Sequence, residues 1–159
     1  MGLGALISSI AFVGHLAEVN MRHEIIPNLR YGNALAAIDF LCNAFGFERR
    51  AVYLDEQDPT RVQHAQLTWA DRMIMVYSIN DTEYARSANM KTVAQAGGPT
   101  VGLYLVVEDV DAHADRAREA GAEIFLGLKD QPYGGRGYSA RDLEGNVWSF
   151  GSYDPWADA

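Results

Sequence analysis

The sequence predicts an α+β fold built from two copies of one strand–helix–three-strand (βαβββ) module. Three observations carry this. Two segments share one order of short strand, polar cap, amphipathic helix and terminal glycine. Each is followed by three short runs in which apolar and polar residues alternate, the period of a half-buried strand. Turn residues separate those runs too closely for a helix in every crossover, which argues against a parallel α/β sheet.

The first segment, residues 26–48, reads IPNLRYGNALAAIDFLCNAFGFE, and the second, residues 102–123, reads GLYLVVEDVDAHADRAREAGAE. Each opens with a strand, Asn28–Tyr31 or Tyr104–Val107. A cap follows, Asn33 or Asp109, whose side-chain oxygen can accept from the free backbone N–H groups of the first helical turn. Each helix stops at a glycine, Gly46 or Gly121, suited to the left-handed conformation past a helix end. The strands after the first helix are Arg50–Leu54, Val62–Trp69 and Met73–Ser78, with Ala70-Asp71-Arg72 as a tight hairpin. Those after the second are Glu123–Leu128, Gly135–Arg141 and Asn146–Tyr153. The reading is a module over 22–80, a linker over 81–100 and a module over 101–156. The linker has a helix-like middle and a Gly97-Gly98-Pro99 stop.

Alternation also sorts the faces. Leu29 and Tyr31 point under the first helix, and Ile26, Asn28 and Arg30 point away. Leu103, Leu105 and Val107 point under the second helix, and Gly102, Tyr104 and Val106 point away. On the last strand Trp148 and Phe150 share one face, and Val147, Ser149 and Gly151 the other. Helices on one side of a sheet leave the other side to be covered or to serve as a cleft.

Composition narrows the function. Of 159 residues, 48% are hydrophobic and 21% charged, enough to bury a core. The net charge of −8 excludes broad nucleic-acid binding, which needs clustered Lys and Arg. It favours cationic over anionic ligands, as a weak bias. The single cysteine, Cys42, rules out an internal disulfide and any multi-cysteine zinc site. It implies a reducing, cytoplasmic setting. Its helical spacing with Ile38, Leu41 and Phe45 reads as packing. The apolar segment 1–21 lacks the basic start and cleavage site of a signal peptide. Ser8, Ser9 and His15 interrupt it as a membrane span, so it reads as an extension that packs on the domain or on a second chain.

The stretch RDLEGNVWSFGSY, residues 141–153, crowds polar groups around a glycine. Asp142, Glu144, Gly145 and Asn146 read as a turn whose side chains bond local backbone. The buried aromatics Trp148 and Phe150 follow.

The double βαβββ plan, with AIDFLCNAFGFE on the first helix and DLEGNVWSF closing the second half, resembles the vicinal oxygen chelate superfamily. That group includes glyoxalase I, bleomycin-resistance proteins and extradiol dioxygenases. The resemblance spans about Arg22–Trp156. It implies that each half curls its mixed sheet into half a barrel, with a ligand cleft where the halves meet. It also implies a homodimer, since such proteins often pair modules across chains. Metal-dependent members carry His, Gln or Glu at positions that fall here near Ile26, Met75, Gly102 and Ser149. Such side chains supply no set of converging nitrogen or oxygen donors, so no metal and no other cofactor is expected.

His64, in VQHAQLTWA, shares a strand face with Gln66 and Thr68. It reads either as a ligand contact or general base, or as a hydrogen-bonded residue at a sheet rim. Asn28 and Arg30 could orient a ligand, or Arg30 could make an internal ion pair. Tyr104 could stack on a ligand or simply pack. In the glycine-rich loop 131–138, which lacks the signature of a phosphate loop, Tyr133, Arg136 and Tyr138 are candidate rim contacts. Ser149 is the remaining ligand-facing candidate. His113, beside Asp111 on a polar helix face, reads as solvated, and His15 and His23 lie outside or at the edge of the repeat. These readings favour a metal-free cleft for a small, partly aromatic molecule, without nucleic-acid or membrane partners. An enzyme using His64, or an unusual metal site, is the alternative.

Overall fold

The computed structural model describes residues 23–157, so the apolar segment read as an extension lies outside the described residues. The elements run β1 (Asn28–Tyr31), α1 (Ala34–Phe45), β2 (Glu48–Leu54), β3 (Val62–Trp69), β4 (Arg72–Ser78), α2 (Glu83–Ser87), α3 (Val93–Ala96), β5 (Gly102–Val106), α4 (Val110–Glu119), β6 (Glu123–Asp130), β7 (Arg136–Arg141) and β8 (Val147–Gly151). Two four-stranded mixed sheets result, ordered β1-β4-β3-β2 and β5-β8-β7-β6. In each, the first strand lies parallel to the last and the other pairings are antiparallel. The α+β class and the repeated module are those expected from the sequence.

Local chemistry explains the helices. Asn33 Oδ1 accepts from Ala36 N–H, and Asp109 Oδ1 accepts from Ala112 N–H, capping α1 and α4. Gly46 takes φ +83°, and a Cβ there would stand 3.1 Å from an Arg116 nitrogen. Glycine is therefore required at this position by conformation and by close approach. Some boundaries differ from expectation. The linker forms two short helices rather than one. Strand β5 begins at Gly102, which pairs with Val147. Strand β6 runs on to Asp130, because Lys129 and Asp130 still pair with Gly137 and Arg136.

One apolar core serves both halves. It joins Ile38, Leu41, Phe45 and Val76 to Ala114, Ala117, Trp148 and Phe150. The Phe45 ring lies 4.9 Å from Phe150 and 5.5 Å from Trp148, so the end of α1 packs on the helix side of the second sheet. Each such side chain stabilises the fold by about 1.5–3 kcal/mol through removal from water. Cys42 packs at the edge of this core, and burial pushes its thiol pKa up, away from the reactive thiolate.

Helix α1 is gripped at both ends by the second module. At its start, the Glu144 carboxylate accepts from the backbone N–H groups of Gly32 and Asn33, each at 2.7 Å. Beside it, buried Asp142 accepts from the Tyr31 hydroxyl at 2.7 Å and from Trp148 Nε1 at 3.0 Å. Asp142 also accepts from the backbone N–H groups of Glu144 and Asn146 and from the Asn146 amide, each at 3.0 Å. Burial, with the Asp142 and Glu144 charges beside it, pushes the Tyr31 phenol pKa well up, so it remains a donor. At the far end, the Arg116 guanidinium donates to the carbonyls of Asn43 and Cys42, each at 2.7 Å. An anion at the helix start and a cation at its end both suit the macrodipole.

His113 completes this junction and departs from the solvated position expected of it. Its Nε2 donates to the Phe45 carbonyl at 3.1 Å, its Nδ1 lies 2.7 Å from the Tyr138 hydroxyl, and its ring sits 4.4 Å from Phe150. The pattern of α4 alone could not show that its polar face meets polar groups of α1. Burial lowers the His113 pKa, and nearby Arg116 adds to this against the opposing Phe45 hydrogen bond.

The helix sides of the two modules face each other, so each sheet turns its second face away from the shared core. The two sheets share no strand pairing and close no barrel. The resemblance implied a cleft where the halves of one chain meet; in this chain it is the helix sides that meet there.

Two measurements check the junction. Asp142→Ala leaves the Tyr31 hydroxyl and the Trp148 N–H buried without an acceptor, and should cost roughly 3–5 kcal/mol in urea unfolding. A loss below about 1 kcal/mol would contradict the role given to Asp142. For His113 the folded pKa lies below the unfolded one, so the unfolded chain takes up the proton first as pH falls below about 6.5. Stability should therefore decline from there toward lower pH, and less steeply in His113→Gln. Equal pH dependence of the two melting temperatures between pH 7 and 5.5 would overturn that assignment.

Candidate functional site

On the outward face of the first sheet, cross-strand register aligns one row of side chains. Tyr53 pairs with His64, and Arg30 with Tyr77. His64 and Tyr77 close the row between β3 and β4, with ring centres 5.1 Å apart. Tyr53 stacks on His64 at 6.0 Å with 17° between the planes. The Arg30 guanidinium lies 5.7 Å from the Tyr77 ring centre. The row thus runs phenol, imidazole, phenol, guanidinium, each neighbour in contact across a strand pair. A second row holds Gln66, Met75 and Asn28. Gln66 Nε2 lies 3.2 Å from His64 Nε2. An amide nitrogen donates, so this contact is a hydrogen bond in the tautomer whose Nε2 accepts. Four sequence candidates, Asn28, Arg30, His64 and Gln66, are therefore neighbours on one face.

Arg30 is the unusual member, at 7% exposed. Its Nη1 donates to Asn80 Oδ1 at 2.8 Å, and its buried Nε has no hydrogen-bond partner. It makes no ion pair with any described residue, contrary to one of the two readings of its role.

The outward face of the second sheet holds a hollow of about 200 Å³, bordered by Tyr104, Tyr133, Arg136, Ser149 and Tyr153 among others. The Tyr104 hydroxyl donates to the Tyr153 carbonyl at 2.7 Å, and Tyr133 meets the Tyr153 ring edge-on at 5.3 Å. Gly151 permits this approach, since a Cβ there would stand 2.6 Å from the Tyr104 hydroxyl. Burial, the largest cause, raises the Tyr104 pKa. Ser149 on the floor bonds Ser139 hydroxyl to hydroxyl at 2.8 Å. Arg136 spends its charge on Asp111, at 2.9 and 3.0 Å, and on Asp130 at 3.3 Å. Tyr138 borders the hollow but is only 3% exposed, with its ring on Phe150 and its hydroxyl on His113. It is a core residue rather than the rim contact expected, because β7 already begins at Arg136 and its alternation turns Tyr138 inward.

The structure does not bring Ile26, Met75, Gly102 and Ser149 together. Met75 lies beside Asn28 in the first sheet, while Ser149 lies beside Tyr104 in the second. Among the described residues, no three His, Cys, Asp or Glu side chains could hold a metal ion jointly. A thioether, a hydroxyl and two side chains without donors do not suit a hard divalent cation. Sequence reasoning missed Tyr53, Tyr77 and Tyr153. The first two are placed by the pairing register of the strands beside His64 and Arg30, which alternation along a single strand does not give. Tyr153 lies within the strand expected over Asn146–Tyr153, but β8 ends at Gly151, and the turn beyond it brings Tyr153 against Tyr104 and Tyr133.

Comparison with known proteins places this geometry in context. The sequence profile of the Glyoxalase/Bleomycin resistance protein/Dioxygenase superfamily matches residues 13–150, reaching into the segment read above as an extension. An uncharacterized protein of Mycobacterium tuberculosis is 31% identical over 140 residues, 87% of this chain and 79% of that one. Among solved structures, TioX from Micromonospora sp. ML1 is 30% identical with a TM-score of 0.62, covering 80% of this chain and 94% of its own. A glyoxalase-related enzyme from Fulvimarina pelagi shares the fold at 15% identity and a TM-score of 0.61, covering 82% of this chain and 88% of its own.

Proposed function

The chain belongs to the glyoxalase/bleomycin resistance protein/dioxygenase superfamily, and from that premise we propose that it binds a small, partly aromatic molecule in a metal-free cleft. It holds the molecule unchanged, which suits resistance by sequestration. The observation that carries this reading is the exposure of aromatic side chains on both outward faces, among them Tyr53 at 56% on the first and Tyr133 at 62% and Tyr104 at 44% on the second. Such rings supply contact area at low entropic cost and stack on planar partners.

The cleft is completed by a second copy of the chain. A hollow of about 200 Å³ falls below the ~300–1,000 Å³ usual for sites that enclose a drug-sized ligand. Apolar groups around it and on the first sheet, including Val106, Leu126 and Leu54, are exposed. Pairing the first module of one chain with the second module of another covers both faces and encloses the ligand between them. A cytoplasmic setting belongs to the same reading, supported by the single cysteine. Among the described residues no helix is long and apolar enough to cross a membrane.

The alternative is an enzyme in which His64 acts as general base. Its place between two phenols on the outward face favours this. Its Nε2 lies 3.2 Å from Gln66 Nε2, a contact that a base acting through this nitrogen would have to give up.

Sedimentation equilibrium of the full chain should give the mass of two 17.5 kDa chains; a single-chain mass would count against the shared cleft. Native mass spectrometry against a set of planar aromatic compounds should show adducts from which the compound returns unchanged. Tyr104→Ala should weaken them about tenfold, an ordinary effect for an aromatic contact. Turnover of the bound compound that disappears in His64→Ala would replace the binder with the enzyme.

A further inference from the structure

A buried charge is tolerated when an opposite charge or a full set of hydrogen bonds meets it. Arg30 has neither. The chain carries an excess of carboxylates, with 21 Asp and Glu against 13 Lys and Arg. Yet no ion pair reaches this guanidinium among the described residues, while the less buried Arg49, Arg136 and Arg141 are all paired. Its described contacts are the Asn80 amide oxygen and the face of Tyr77. Both are neutral, and Nε is left over. The guanidinium closes the aromatic row of Tyr53, His64 and Tyr77, so it stands where one end of a planar molecule lying along that row would fall.

We infer that the ligand carries a carboxylate at one end of a planar aromatic framework, and that Arg30 is its counter-charge. The inference rests on the binding reading above and adds the chemical class. A carboxylate matches the planar fork of a guanidinium and accepts two of its N–H groups at once. On this inference the Tyr77 ring, which faces the guanidinium at 5.7 Å and rests its hydroxyl on the weak acceptor sulfur of Met75 at 3.6 Å, moves aside to admit the carboxylate. The local charge thus runs against the bias of the acidic chain, which alone would favour cations.

The test titrates the full chain with three probes of one shape: 2-naphthoate, 2-naphthamide and 2-naphthylmethylammonium. Naphthoate should bind at least tenfold more tightly than the amide, equivalent to about 1.4 kcal/mol, and the ammonium more weakly than either. Arg30→Met keeps the length of the side chain without its charge. It should abolish the preference for naphthoate over the amide. Without ligand, Arg30→Met should melt no lower than the wild type, because an unpaired buried charge is removed. Naphthoate should raise the melting temperature of the wild type more than that of Arg30→Met. Arg30→Lys keeps the charge without the fork and should retain part of the preference.

Equal binding of naphthoate and amide by the wild type would overturn the carboxylate and leave the aromatic site standing. A preference unchanged in Arg30→Met would move the anion away from Arg30 and equally overturn the inference. A clearly lower melting temperature of ligand-free Arg30→Met would make Arg30 a paired structural group. Binding of none of the three probes would sink the aromatic site itself.

Discussion

Helix α1 is the constraint on which the rest of the structure depends, because its two ends are satisfied by the other half of the chain. Four N–H groups and four carbonyls at the ends of any helix have no partner inside it. Here Glu144 meets backbone N–H groups at the entry to α1, and Arg116 and His113 meet carbonyls at its exit. Asp142 ties the same entry to the Trp148 indole through Tyr31. These polar contacts fix the helix side of one module against the helix side of the other, over a core that neither module completes alone. With that side occupied, each curved sheet has only its outer face left for a ligand.

Much of the architecture was legible because it rests on local rules. The caps Asn33 and Asp109, the stop at Gly46 and the alternation along β3 and β8 each depend on a few neighbouring residues. Asp142 was legible as a turn residue, and it is one: it accepts from Glu144 and Asn146 within its own turn. Its larger role was hidden, since Tyr31 lies 111 residues away in sequence. His113 was misread for the same reason. Its partners are a carbonyl 68 positions away and a phenol on another strand, and no helical pattern encodes either.

The candidate site divides in the same way. Strand alternation placed Asn28 with Arg30, His64 with Gln66, and Tyr104 and Ser149 on the faces of their own strands; the register makes the first four neighbours. Alternation could not pair Tyr53 with His64 or Tyr77 with Arg30, because a row across a sheet is set by register rather than by sequence. Nor could it show that the two faces point apart. That property comes from the packing of α1 on the second module, and it holds the two candidate faces apart within one chain.

The shared cleft is tested most directly by mixing two damaged chains. Chains carrying Tyr77→Ala and chains carrying Tyr104→Ala are co-expressed with different tags, and the mixed dimer is isolated and titrated with 2-naphthoate. One cleft of that dimer would combine both lesions, and the other would combine two intact modules. The account predicts that half of the sites regain wild-type affinity. If every site in the mixed dimer binds as weakly as in the parent variants, each site belongs to a single chain and the account is contradicted.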